Sequence, residues 1–422
     1  MTVRVPSPIA CSVATVMACA CVAALAQPRQ VVKPPVAQAW IDVATFGGFG
    51  MPGGMAGMAG GGNPMAMLGS LMGRGGGTNT FGQTQAMSPG RWVDVTLYTR
   101  NNLQLTEAQQ SVPAGFLSPA LKLQSPTQTK GTPPGPDDES TTEPEYERPK
   151  GKMLLYWGCG DAVRAGQPRV VDFATATPAD LARFFQSRRA TQRGTHAAVG
   201  RPVWPSVADA RVVPPQASLV GEHAYTGSGV PEGFRFALGA GQDLMPSIAL
   251  KQKEVAGATQ LDWQSLPTAR AYFISAMGVR ENNEMVIWTS SEQPDIGFGL
   301  LDYQTNSAVD RWLKEKVLLA PQATQCTVPK GVFGGQGTML RMIAYGNEIN
   351  LAHPPRPTDP RVAWEPVWAA KVRVKSVTMA MLGMEMPEAE PADADPAAAA
   401  PEADSGRKKP GVKDVLKGIF GR

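Results

Sequence analysis

The side chains of this chain best suited to chemistry are three histidines, five cysteines and a run of methionines. His196 and His223 stand in loop-like sequence, and His353 precedes two prolines. None has a partner at metal-ligand spacing, and the chain contains neither HExxH nor CxxC. Gly227-Ser228-Gly229 is a glycine turn and not a nucleophile elbow, and the glycines flanking Cys159 make neither GxGxxG nor a phosphate loop. Cys159 could serve as a nucleophile with His196 or His223 as its base. A buried or disulfide-bonded cysteine on a strand is the stronger reading, because nothing beside it in sequence would lower its pKa. Asp161, Asp172, Asp295 and Asp302 could supply a carboxylate pair for glycoside hydrolysis, but any chain of this length holds such candidates. The motifs therefore specify no catalytic residue and no cofactor.

Met51, Met55, Met58, Met65, Met67 and Met72 crowd a glycine-dominated stretch. Thioethers are soft ligands that suit Cu(I), which makes these residues weak candidates for a metal site. The alternative is a low-complexity linker in which methionine is an adaptable apolar bead, and no histidine or cysteine lies nearby to argue against it.

Charge and composition narrow the class. With 40 basic and 36 acidic residues the net charge is +4, which does not suit a nucleic-acid partner. The hydrophobic fraction, 43%, is ordinary, whereas 45 glycines and 38 prolines in 422 residues mark low-complexity segments.

The two ends read as addresses. Arg4, the apolar stretch over 9–23 and Ala24-Leu25-Ala26 have the form of an export signal over 1–26, cleaved between Ala26 and Gln27. A second reading is a lipoprotein acylated at Cys19. Cleavage removes Cys11, Cys19 and Cys21, leaving Cys159 and Cys326, which either form a disulfide in an oxidising compartment or remain unrelated thiols. At the other end, 386–406 is an acidic Ala/Pro linker and 407–422 a basic amphipathic helix. There Val412, Val415, Leu416, Ile419 and Phe420 share one helical face, with Lys413 and Lys417 on the other. Such a helix suits an anionic membrane surface or a groove on an envelope protein.

Between the ends the pattern is mainly β. Residues 27–90 read as a low-complexity Gly/Met-rich spacer with a short strand at 40–44. Residues 91–248 read as a β-rich domain with an acidic Pro-rich loop over 125–150. Val93, Val95 and Leu97 alternate with Asp94, Thr96 and Tyr98, which predicts a half-buried strand. Thr177-Pro178-Ala179-Asp180 opens a helix with a hydroxyl cap, a first-turn proline and an early acid. Residues 249–385 read as a β-sandwich-like domain, with a short helix at 307–316 capped by Ser307 and Asp310.

The most legible stretch is 259–291, read as three successive strands broken at Pro267 and at Asn282-Asn283. Leu261, Trp263, Pro267, Ala271 and Tyr272 in it resemble the second and third strands of fibronectin type III-like sandwiches, over roughly 245–350. The resemblance implies a scaffold that makes contacts and seldom does chemistry. The expectation is an exported, non-catalytic envelope protein for binding, scaffolding or surface association, in the periplasm or secreted. The alternatives are a hydrolase acting on envelope polymers and a copper-handling protein.

Overall fold

The computed structural model describes residues 30–47, 79–86, 88–127, 151–190, 194–280, 284–334 and 337–383. The expected signal segment with Cys19, Ala26 and Gln27, the methionine run from Met51 to Met72, the linker over 386–406 and the C-terminal helix lie outside these residues. So does most of the acidic loop over 125–150.

The fold is mainly β. Two long strands occupy the centre: β1 (Ala37–Gly47) and β17 (Trp368–Met381) run parallel along the whole of β1. β2 (Gly90–Thr99) lies antiparallel on the other side of β1. One wing continues from β17 through β15 (Met339–Tyr345), β12 (Ala271–Arg280), β13 (Glu284–Thr289), β5 (Lys152–Trp157) and β6 (Arg169–Asp172). The other continues from β2 through β7 (Val203–Trp204), β4 (Ala120–Gln124), β3 (Glu107–Ser111), β8 (Gly221–Gly227) and β9 (Arg235–Leu238). With β16 (Ile349–His353) paired to β17, these make a 14-stranded sheet. A separate 3-stranded sheet contains β10 (Lys251–Val255), β11 (Ala258–Asp262) and β14 (Gln325–Val328).

Strand pairing crosses the boundary read near 248: β5 pairs with β13, and β2 reaches β17 through β1. β1 contains the short strand expected at 40–44 and extends it to Ala37–Gly47, the added length pairing with β2 and β17. The stretch 259–291 is split: β11 belongs to the small sheet, whereas β12 and β13 form a hairpin in the large one. Trp263, just after β11, still meets Tyr272 of β12 edge-on, with ring centroids 5.6 Å apart.

The large sheet is curled. β9 lies seven strand spacings from β17, about 34 Å along a flat sheet. Yet Phe234, just before β9, stacks on Trp368 at the start of β17, with centroids 5.0 Å apart. The outer wing therefore folds back over the centre. The face it covers is apolar: Ile41 and Val43 of β1, Val93, Val95 and Leu97 of β2, and Val372 and Val374 of β17 enter one core. Leu261, Cys326 and Val328 of the small sheet join the same core.

The opposite face is covered by two short helices. α1 (Pro178–Phe184) starts as its sequence predicts: Thr177 accepts from the Asp180 backbone, and Asp180 accepts in return from Thr177. It seats Phe184 against Leu155 and Ile287. α2 (Asn306–Lys314) seats Val309 and Trp312 against Phe273, Ile343 and Val377. Its cap is Thr305, which accepts from the Ala308 backbone, and not the expected Ser307. The helix starts two residues earlier because Thr305 has extended backbone geometry while Asn306 is already helical.

Candidate functional site

In the middle of this second face the apolar cover gives way to charge. Side chains alternate along a strand, so Lys371, Arg373 and Lys375 of β17 project to the side opposite Val372 and Val374. Parallel pairing sets Asp42 of β1 beside Arg373, and antiparallel pairing sets Asp94 of β2 on its other flank. Two rungs along, Ala44 separates Lys375 from Trp92. One row of the sheet thus reads Arg373, Asp42, Asp94, with all three side chains buried.

Each charge is answered. Arg373 donates from Nε to Asp42 Oδ1 and from Nη2 to Oδ2, both at 2.6 Å. Thr195 donates to the same carboxylate from its backbone at 3.1 Å and its hydroxyl at 2.7 Å. Lys375 Nζ donates to Asp302 Oδ1 at 2.8 Å. Tyr303 lies over both cations, its ring centroid 4.3 Å from the Arg373 guanidinium and 4.2 Å from Lys375 Nζ. Its hydroxyl donates to the Val43 carbonyl at 2.9 Å.

Electrostatics follow from burial. Burial works against the charge of Arg373, but Asp42 more than compensates and holds its pKa above the usual arginine value. At Lys375 burial prevails over the attraction of Asp302, and the pKa falls. Asp94 accepts from the Gly82 backbone at 2.9 Å, the Thr84 backbone at 3.0 Å and the Thr84 hydroxyl. Burial outweighs these three donors and pushes its carboxyl up to about 6. Burial also raises the Tyr303 phenol well above its ordinary range.

This layer is built to satisfy itself. Its charges face partners on the strands and on the covering segments near Gly82, Thr195 and Tyr303. The residues singled out for chemistry from sequence lie elsewhere or are otherwise engaged. Cys159, just after β5, forms a disulfide with Cys326 of β14, their Cα atoms 5.3 Å apart, so it offers no thiol for a histidine to activate. The bond links the small sheet to the wing of the large one. His223 is not in a loop: it lies in β8, fully buried, with its ring nitrogens 3.0 Å from Gln110 Nε2 and 2.7 Å from the Leu219 carbonyl. His196 packs edge-on against Trp40 and contacts Arg201, and His353 stacks on Trp368. Of the expected carboxylates, Asp302 is held by Lys375, and Asp295 accepts from Ser187, Arg188 and Gly297. Asp172 accepts from the Ala174 backbone.

Sequence reasoning missed Asp42, Asp94, Lys371, Arg373 and Lys375 as a group. The available signal was the alternation of three cations with valines in AKVRVKS. A strand of that pattern has one charged face, which must find partners if it is covered.

Among the described residues, no group of three or more His, Cys, Asp or Glu side chains is placed to hold a metal ion. Among the same residues, no helix is long and apolar enough to cross a membrane. Comparison with known protein families, with curated proteins and with solved structures finds no match.

Proposed function

We propose that the chain is an exported, non-catalytic protein of the cell envelope that binds or scaffolds other envelope components. The observation that carries this reading is the Cys159–Cys326 disulfide, which closes 167 residues of chain. Such a bond persists in oxidising compartments and is rare where thiols are kept reduced. The form of residues 1–26 as an export signal supports the same location. The buried charges support a structural and not a catalytic use, since Asp42, Arg373, Lys375 and Asp302 are spent on one another. The resemblance around Trp263 and Tyr272 to fibronectin type III-like sandwiches favours a contact-making scaffold. In this reading Val412, Val415, Leu416, Ile419 and Phe420 dock the C-terminal segment on an anionic membrane surface or a partner protein, with Lys413 and Lys417 beside them.

The test is fractionation of cells expressing the full chain and a version stopped after Ser405, with thiols alkylated before lysis. The expected result is export of both forms with Cys159 and Cys326 protected from the reagent. The full chain sediments with membranes, and the shortened one does not. Cytoplasmic protein with both thiols alkylated would sink the proposal. If both forms sediment, acylation at Cys19 replaces the C-terminal helix as the means of attachment.

A further inference from the structure

Between β6, the segment following α1, and α2 lies a half-open cavity of about 530 Å³. Four arginines line it: Arg169 of β6, Arg188 and Arg189 of the segment after α1, and Arg311 of α2. A single carboxylate, Asp295, stands against them in the lining. Two other concavities among the described residues are closer to balance. A neighbour of about 480 Å³ sets Arg169 and Arg183 against Asp172 and Asp180. Another, beside β3 and β4, sets Lys122 against Glu107.

The four arginines divide by what holds them. Arg188 is fixed: its Nη1 donates to Asp295 at 3.0 Å and its Nε to Glu315 at 3.3 Å. Asp295 is almost fully buried and also accepts from Ser187, so this corner is a rigid part of the body. Arg311 reaches the same Glu315 at 3.8 Å and lies over the Trp312 ring. Arg169 and Arg189 have no carboxylate partner among the described residues. Gly299 packs beneath the Arg188 carbonyl and Arg189 Cβ, so the backbone bearing these two arginines is supported from below.

We propose that this cavity is a binding site for a phosphate group. A guanidinium presents a planar fork of donors that matches a tetrahedral oxyanion, and two such forks here have no internal anion. The volume lies in the range of ordinary small-ligand sites. The group is carried either by a soluble phosphorylated molecule or by a lipid headgroup; the arginines recognise the chemistry common to both. The inference does not rest on the location proposed above and is tested on purified protein, so the two fail separately.

The experiment is calorimetric titration of the full chain with inorganic phosphate, repeated at raised salt. Saturable binding that weakens with salt is expected. Arg169→Gln and Arg189→Gln each weaken it about tenfold or more, because each removes a charge-assisted hydrogen bond. Both are expected to melt at the wild-type temperature, since neither side chain holds an internal partner. Arg183→Gln, in the charge-balanced neighbour, leaves binding unchanged. Absence of saturable binding, or wild-type affinity in Arg169→Gln and Arg189→Gln, would overturn the proposal. Vesicles of phosphatidylglycerol in phosphatidylcholine then identify the source. If they displace phosphate from the wild type but do not bind at the cavity in Arg189→Gln, the ligand is a headgroup; if phosphate stays bound, it is soluble.

Discussion

Asp42 and Arg373 meet across the parallel strands β1 and β17, 331 positions apart in sequence, through two hydrogen bonds of 2.6 Å. The pair sits where the two ends of the sheet-forming chain come together, and both side chains are nearly inaccessible. Their attraction offsets a large desolvation cost, so the pair matters most when half of it is missing.

Arg373→Met is therefore expected to lower stability by about 3–5 kcal/mol, leaving the Asp42 carboxylate buried without its cation. Asp42→Leu combined with Arg373→Met is expected to recover much of that loss, as replacement of a buried pair by apolar residues commonly does. Urea denaturation of the two variants decides it. Equal losses in the single and double variants would mean that packing, not charge, sets the cost.

Asp94 predicts a pH dependence. Its folded-state pKa, about 6, lies above the ordinary 3.8, so the folded protein keeps a proton that the unfolded chain releases. The resulting stability is fully present below the unfolded value and is lost as pH rises through the folded one. Asp94→Asn is expected to flatten the stability profile between about pH 4 and pH 6. Its absolute stability also falls, because an amide nitrogen would face the Thr84 donors. The slope is the readout: the same slope in Asp94→Asn and wild type would assign the dependence to another group.

Reduction of Cys159–Cys326, or the double change Cys159→Ala with Cys326→Ala, is expected to cost about 2–5 kcal/mol. The bond closes 167 residues, and chain-entropy arguments put such a long loop at the upper end of that range. Denaturation with and without reductant measures it. The small sheet, tied to the large one by this bond, is expected to lose amide-exchange protection first.

The cap of α2 distinguishes two hydroxyls that sequence alone confused. Thr305→Ala is expected to cost about 1 kcal/mol, because it removes the acceptor for the Ala308 backbone. Ser307→Ala is expected to be nearly neutral by thermal melting. A larger effect at Ser307 would move the helix start back to the position first read from sequence.

The sequence by itself determined the class of the body and many of its local elements. Val93, Val95 and Leu97 marked one face of β2, and Thr177 to Asp180 marked the start of α1, because side-chain period and capping chemistry act over a few residues. The tertiary structure alone decided which strands are neighbours. Period two specifies the face of a strand and not its partner, so nothing near Trp40 announced that β1 would lie between β2 and β17. The same holds for charge. Asp42, Asp94, Arg373, Asp302 and Tyr303 form no group until four distant segments are brought to one face, where low polarity makes an unpaired charge costly and their mutual pairing necessary. The arginines around Asp295 follow the same rule, since Arg169, Arg189 and Arg311 become one cavity wall only when β6, the segment after α1 and α2 converge.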